Sequence, residues 1–466
     1  MGSDDPVERL VADIDSVLAD SVFRSTVPSV KVFSPSTGET LYEKNSDLLV
    51  RPASNMKLLT SALGLHVLGP QYQFKTSIGW DSVSVDSVIP GDLYLKGYGN
   101  PDLSTRDLDS MATRLAAMGI KSIGGNIVAD ASFLDSLQWG TGWMWDDEPA
   151  PYQAYVSGLS INKNCIRVTV TPDSTGNSVL VSTDPETDYV HVISTATIAV
   201  DSVLNRLSVA RPITEPPNTI VVTGEVMGNA RPYRDQITVL WPELYAGQLL
   251  KERLALAGIS VTGGVARGRL PAGAREHIWH VWGMDSMVIN LNKVSDNLSA
   301  EMVLKTSAAA LDSPPGSSRS GVWAVNRFLA SCGIDTTNHA MVDGSGLSHY
   351  NLLRVNLLVD LLTAMYANTD VFPLYYTSLP IGGVDGTLER RMLGTLAEGN
   401  VHAKTGSISG VSSLSGYVTT RDGEMLIFGM TMQDFILPSR AYRDAQDKIC
   451  GILAEFSRRE RKENGE

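Results

Sequence analysis

Apolar residues recur at helical spacing from Asp5 to about Ala19, at Val7, Leu10, Val11, Ile14, Val17 and Leu18, which predicts an amphipathic helix. From Ser29 to Glu43 the pattern alternates through Val30, Val32 and Leu41 and turns at Ser36-Thr37-Gly38, as a strand hairpin does. Pro52 stands just ahead of an apolar, helically spaced run from Ser54 to about Leu68, and proline favours the first turn of a helix. The texture then changes. From about Tyr72 to Pro242 short β-like runs alternate with turn residues: Asp92–Lys96, Ile166–Thr171, Val179–Ser182, Leu207–Ala210 and Thr219–Thr223, with a helix at Asp107–Met118. A helix is expected at Pro242–Leu256, then strands at Ser260–Val265 and Glu276–Trp282. Beyond Met287 the spacing predicts helices over Val294–Ala310, Ser320–Ser331 and Leu352–Ala367. Val411–Val418 and Met425–Met432 read as strands joined at Asp422-Gly423, and a helix from about Ser439 to Phe456 closes the chain.

This order predicts an α+β architecture. One helix-plus-sheet domain is split into residues 1–75 and 285–466, and β-rich domains, two by preference, are inserted over 76–284. A length of 466 residues agrees with two or three domains. There is no internal repeat and no low-complexity linker.

With 43% hydrophobic and 19% charged residues the chain reads as a folded, soluble globular protein. Acidic residues outnumber basic ones by 51 to 38, for a net charge of −13, and the basic cluster Arg458, Arg459, Arg461, Lys462 sits in a polar, solvated tail. That balance excludes the basic footprint of a nucleic-acid partner. Cys165, Cys332 and Cys450 are too few and too scattered for a disulfide framework or a zinc site. No apolar stretch approaches the roughly 20 residues of a transmembrane helix. Met1 to Asp5 lack the basic and apolar regions of a signal peptide, so the opening reads as a shortened start.

Three short motifs carry the chemistry. In Ser54-Asn55-Met56-Lys57, positions i and i+3 share a helix face, so the Ser54 hydroxyl and the Lys57 amine can meet. A serine hydroxyl needs a base near neutral pH, and a lysine serves when burial or a neighbouring cation lowers its pKa. The positive end of the helix is then aimed at a developing oxyanion. Ser295-Asp296-Asn297 opens a second helical run, where plain N-capping is the competing explanation. Lys404-Thr405-Gly406-Ser407 precedes the Val411–Val418 strand. Lys404 offers a cation to a carboxylate, and Gly406 lets a ligand approach the backbone. Each motif alone is common; their order and setting together match the Ser-x-x-Lys, Ser-Asp-Asn, Lys-Thr-Gly set of penicillin-recognising enzymes.

The chain resembles the low-molecular-mass class C penicillin-binding proteins, the D-alanyl-D-alanine carboxypeptidase/endopeptidase family. Gly97-Tyr98-Gly99-Asn100-Pro101-Asp102-Leu103, Gly124-Gly125-Asn126-Ile127, Tyr155–Asn162, Asp343-Gly344-Ser345-Gly346-Leu347-Ser348 and Gly386-Thr387-Leu388 extend the likeness from about residue 10 to 455. The resemblance implies a penicillin-recognising serine transferase fold (β-lactamase/transpeptidase-like) with inserted β-rich domains. It implies that Ser54 attacks the penultimate D-alanine, that Lys57 accepts its proton, and that Ser295 passes a proton to the leaving amine with help from Lys404. Asn297 would hold the substrate amide, Lys404 and Thr405 the terminal carboxylate, and the backbone N–H groups of Ser54 and Ser407 the oxyanion, beside Gly406. Asp147 and Tyr152 would recognise the free end of a diamino acid, with Leu347, His349 and Ile408 lining that pocket; His349 stands where relatives carry arginine. No cofactor or metal is implied. The implied partners are peptidoglycan stem peptides, with β-lactams as covalent inhibitors. The implied location is periplasmic or otherwise extracytoplasmic.

The long interval from Ser54 to Ser295, and the lack of a Glu-x-x-Leu-Asn run after the second motif, argue against a class A β-lactamase. An intact serine–lysine pair argues against a wall-binding module with a silent site. His277 and His280 read as structural, because positions three apart in a strand face opposite sides. His402 lies near Lys404 in what reads as a turn. Trp143 and Trp145 read as packing residues, and no phosphate loop or dinucleotide fingerprint is present.

Overall fold

The computed structural model describes residues 5–81, 86–199 and 206–459. Its central sheet is built from strands that are buried along nearly their whole length, Val411–Thr419 and Met425–Gln433. Met425–Gln433, covered on both faces, reads as a nearly continuous apolar run, whereas Val411–Thr419 buries Ser412, Ser413 and Ser415 among its apolar residues. The sheet order is His402–Ile408, Val411–Thr419, Met425–Gln433, Val27–Ser34, Glu39–Lys44, all antiparallel. The expected N-terminal hairpin thus forms one end of this sheet, and the Lys404 strand forms the other.

Alternation divides the sheet between two cores. Phe428, Met430 and Met432 face the helices Pro6–Leu18 and Arg440–Glu455, packing with Leu10, Ile14, Ile449 and Leu453. Tyr417 and Ile427 face the other side, with the helices Met56–Val67, Met284–Lys293 and Val355–Ala367. Each fully buried Leu, Ile, Val or Phe there contributes about 1.5–3 kcal/mol. The helix Met56–Val67 is buried over nearly all its length and crosses Asn297–Asp312 closely at Gly64, where an added Cβ would lie 2.5 Å from Val303 Cγ1.

Between these pieces runs a second five-stranded sheet, ordered Val265–Arg267, Ile127–Asp130, Leu93–Gly97, Gln73–Trp80, Arg275–Gly283. Helices Thr105–Ala117 and Pro242–Leu256 share its core through Leu108, Leu115, Leu249 and Leu254. Smaller sheets follow, among them the antiparallel Tyr233–Thr238, Cys165–Pro172, Val179–Asp184.

Four expectations need correction. The helix expected over Val294–Ala310 starts three residues later and runs Asn297–Asp312, and a separate helix, Met284–Lys293, precedes it. Ser295 at φ +64° breaks the run, and the Asp296 carboxylate caps the second helix by accepting from the Ser299 N–H at 2.6 Å. Ser260–Val265 is likewise two strands, Ser260–Val261 and Val265–Arg267, in different sheets with Gly263-Gly264 between them. His402 belongs to a strand rather than a turn, half-buried and stacked on Tyr376 at 3.9 Å. Arg458 is not free in a solvated tail: it pairs with Glu39 and Glu424, each at 3.0 Å, while Arg461 and Lys462, like Met1 and Gly2, lie outside the described residues. His277 stacks on Trp80 and His280 faces Asp107, and among the described residues no cluster suited to a metal occurs. Among those residues, too, no helix is long and apolar enough to cross a membrane.

The close helix crossing generates a prediction. Gly64→Leu should lower stability by about 1–3 kcal/mol through overpacking against Val303. It should also slow turnover, because Lys57 and Asn297 ride on the two helices being pushed apart. Urea melts and steady-state kinetics on one preparation check both.

Candidate active site

Ser54 sits in a single 3-10 turn, Ala53–Asn55, that leads into the helix Met56–Val67. Two glycines let other backbone segments close around that turn. Gly346, at φ +81°, lies where a side chain would collide with the Ala53 carbonyl. At Gly406 an added Cβ would strike Ser413 and lie 3.0 Å from the Ser54 N. The Ser413 hydroxyl donates to the Pro52 carbonyl at 2.7 Å, and Asn55 Nδ2 donates to the Lys404 carbonyl at 2.9 Å. The serine turn is therefore pinned to the edge strand His402–Ile408 and its neighbour.

Lys57 is wholly buried, and its Nζ lies 2.9 Å from Ser54 Oγ, 2.5 Å from Asn297 Oδ1 and 2.7 Å from the Ser345 carbonyl oxygen. The last two groups only accept, so a neutral amine gives them its two N–H bonds and turns its lone pair toward the Ser54 hydroxyl. Burial pushes the Lys57 pKa down to about 8, against the opposing charges of Asp343, Asp296 and Glu301. Lys404 is equally buried, donating to Ser295 Oγ at 2.9 Å and to the Thr405 carbonyl at 3.0 Å. Burial, then repulsion from Lys57, holds its ammonium well below the ordinary lysine range. Thr405 and Thr387 share a hydroxyl–hydroxyl bond of 2.7 Å.

The structure thus joins Ser54, Lys57 and Asn297 in one chain and Ser295, Lys404 and Thr405 in another. Asn297 differs from expectation in part: its Oδ1 is committed to Lys57, and its Nδ2 donates to the Tyr152 carbonyl at 2.7 Å, which leaves one amide N–H for a ligand. Asp147, in a short 3-10 turn, accepts from the Tyr152 hydroxyl at 2.7 Å, so these two are brought together beside Asn297. Leu347 packs with Trp143, Leu298 and Met302. His349 and Ile408 are half-buried and Ser407 is exposed, and no hydrogen bond ties His349 to either chain. Trp143 is buried and donates to Asp343 at 3.0 Å, whereas Trp145 is 75% exposed and is no packing residue.

Sequence reasoning gave no role to Glu301, Asp343 or Thr387. Asp343 accepts from the Gly346 and Ser348 N–H groups at 2.9 and 2.8 Å and shapes the turn that aims the Ser345 carbonyl. An Asp-Gly-Ser-Gly string was the available signal, since aspartate folds back on its own turn. A shallow cavity of about 530 Å³ lined by Val11, Asp15 and residues 40–44 lies elsewhere and holds none of these groups.

Comparison with known proteins bears on the arrangement. The model of the D-Ala-D-Ala carboxypeptidase 3 (S13) family matches residues 10–456. The chain is 36% identical over 468 residues to the D-alanyl-D-alanine carboxypeptidase of Actinomadura sp. (strain R39), covering 96% of this chain and 85% of that one. Its fold is similar to the crystal structure of penicillin binding protein 4 (dacB) from Haemophilus influenzae, with a TM-score of 0.84, 24% identity, and coverage of 95% of this chain and 99% of that one. A second structure of that protein, complexed with a β-lactam, matches with a TM-score of 0.77 and 23% identity, over 94% and 98% of the two chains.

Burial of Lys57 and Lys404 predicts two abnormal lysines, which substitution tells apart. In protein carrying 15N-lysine, the Lys57 side-chain amine should titrate with a midpoint of about 8. It should be protonated below that pH and neutral above it, and the signal should vanish in Lys57→Met.

Proposed function

The chain belongs to the D-Ala-D-Ala carboxypeptidase 3 (S13) family, and from that premise we propose that this serine DD-peptidase works through an acyl-enzyme on Ser54. The observation that carries the assignment is the Lys57 amine, buried, 2.9 Å from Ser54 Oγ, with acceptors for its remaining N–H bonds. Neutral Lys57 takes the hydroxyl proton as Ser54 Oγ bonds to the carbonyl carbon of the penultimate D-alanine. The oxyanion is met by the Ser54 and Ser407 N–H groups. Support for Ser407 comes from the outermost place of its strand in the sheet, which leaves backbone groups along the free edge without ladder partners. Collapse of the tetrahedral adduct breaks the peptide bond. The leaving nitrogen collects a proton from Ser295, which Lys404 replenishes. Lys57 passes the proton it took from Ser54 to Lys404, by way of solvent that enters as the amine leaves; neutral again, it deprotonates the water that releases the acyl group, and that proton returns to Ser54 Oγ.

Lys404 and Thr405 bind the terminal carboxylate in this reading, and Asn297 offers its free amide N–H to the substrate. Asp147 and Tyr152 receive the ammonium of a diamino acid side chain, with Leu347, His349 and Ile408 as the walls. The substrates are peptidoglycan stem peptides, cleaved as carboxypeptidase or endopeptidase outside the cytoplasm. β-Lactams, which mimic the D-Ala-D-Ala terminus, acylate Ser54 and leave slowly. Residues 1–75 and 285–466 act as the acyl-transfer domain, and 76–284 as inserted β-rich domains.

Three substitutions test the assignments. Ser54→Ala should abolish D-alanine release and penicillin labelling with the thermal melt unchanged; mass spectrometry of wild type should show a single adduct, on the Ser54 peptide. Lys57→Ala should slow acylation by ~10²–10⁴-fold, and a loss below about tenfold removes it as the base. Asp147→Asn should cut kcat/KM for a diaminopimelate- or lysine-bearing peptide by roughly one to two decades, as loss of a charge-assisted hydrogen bond does. Acylation by a penicillin lacking the amine should stay near wild type, and equal losses on both ligands contradict the recognition role.

A further inference from the structure

Glu301 lies one helical turn beyond Asn297 on the helix Asn297–Asp312, on the same face and fully buried. The reaction described above does not use it. Its Oε1 accepts from the Gly344 N–H at 2.9 Å and the Ser345 N–H at 2.8 Å. The carbonyls of the same two residues point the other way, toward the helix Met56–Val67. Gly344 O accepts from Thr60 Oγ1 at 2.7 Å, and Ser345 O accepts from Lys57 Nζ at 2.7 Å. A buried carboxylate is costly unless its neighbours hold it, and here its hydrogen bonds go to the one stretch of backbone that touches Lys57.

Resting on the reading of Lys57 as the base for Ser54, we propose that Glu301 is a positioning residue with two effects on that amine. Its oxygen fixes the Ser345 carbonyl as an acceptor for Lys57, and its charge favours the ammonium form. The groups facing Glu301 are Asp343 from the 343–348 turn and Lys305 from its own helix. Lys305 is itself engaged by Asp135 and the Leu137 carbonyl. Those facing Lys57 are Asp343, Asp296 and Glu301, with Lys404 as the second cation. Burial, followed by the charge of Asp343, raises Glu301 to about 7, next to a Lys57 lowered to about 8. Both groups thus change charge within the range where the enzyme would be assayed.

The sign follows. Above about 7 Glu301 is an anion, and an anion beside an amine raises the amine's pKa. Glu301→Gln keeps an oxygen for both N–H groups and removes the charge, so Lys57 should lose its proton at lower pH. Glu301→Asp keeps the charge but withdraws the oxygen by one methylene, so the Ser345 carbonyl should be held less firmly.

The test is the pH profile of kcat/KM on a D-Ala-D-Ala-terminated peptide, for wild type, both Glu301 variants and Lys57→Ala, with thermal melts alongside. In Glu301→Gln the acid limb should move to lower pH, with the plateau within about threefold of wild type. In Glu301→Asp the plateau should fall about tenfold with the limb little moved. An unmoved limb in Glu301→Gln, or a wild-type plateau in Glu301→Asp, overturns the inference while leaving Lys57 as the base. If the residual activity of Lys57→Ala keeps the wild-type limb, the base assignment falls and this inference with it. Should one Glu301 variant fail to fold, the other decides.

Discussion

A lysine amine cut off from water must find an acceptor for each of its N–H bonds or give up its proton, and Lys57 is held at that boundary. Its acceptors come from separate elements: Ser54 from the turn before its own helix, Asn297 from the start of another helix, and the Ser345 carbonyl from a loop. Placing an amine between them requires the helix pair to cross closely, which the bare Gly64 permits against Val303. It requires the 343–348 turn to lie against Ala53, which Gly346 permits. The central sheet completes the cage by docking its edge strand on the serine turn through Asn55 and Ser413. Core packing and site chemistry are here one geometric problem, because a small shift in either helix lengthens a bond to Nζ.

The segment between residues 73 and 283 takes part in that problem. Tyr152 supplies the carbonyl that fixes the Asn297 amide, so that its oxygen and not its NH₂ faces Lys57. Trp143 donates to the same Asp343 carboxylate that shapes the Ser345 turn. Lys163 pairs with Asp102 and lies 3.9 Å from Asp296, the cap of the Asn297 helix. This segment reaches the site through backbone and cap as well as through the rim proposed for substrate selection.

The parts legible in the sequence are those whose chemistry imposes a fixed spacing. Ser54 and Lys57 could be paired because i and i+3 share a helix face, while the strand 425–433 announced itself as a long apolar run and 411–419 as an alternating one. The helix expected from Val294 begins only at Asn297, because Ser295 takes a left-handed backbone that the apolar spacing does not record. Gly263-Gly264 hid a change of sheet for the same reason, a local turn inside a β-like run. Glu301, Asp343 and Thr387 escaped notice because their partners are peptide groups or a hydroxyl far along the chain. No side-chain pattern records a partner that belongs to the backbone.

The Tyr152 segment contributes to the site through such a backbone group, and this shapes how it can change over evolutionary time. A peptide oxygen does not depend on the side chain that follows it, so the Asn297 amide keeps its orientation whatever residue occupies position 152, provided the turn is retained. The aromatic ring and the Asp147 carboxylate it bonds are then free to drift while the Asn297 amide beneath them stays aligned. Under the role proposed for this rim, substrate range can evolve apart from turnover.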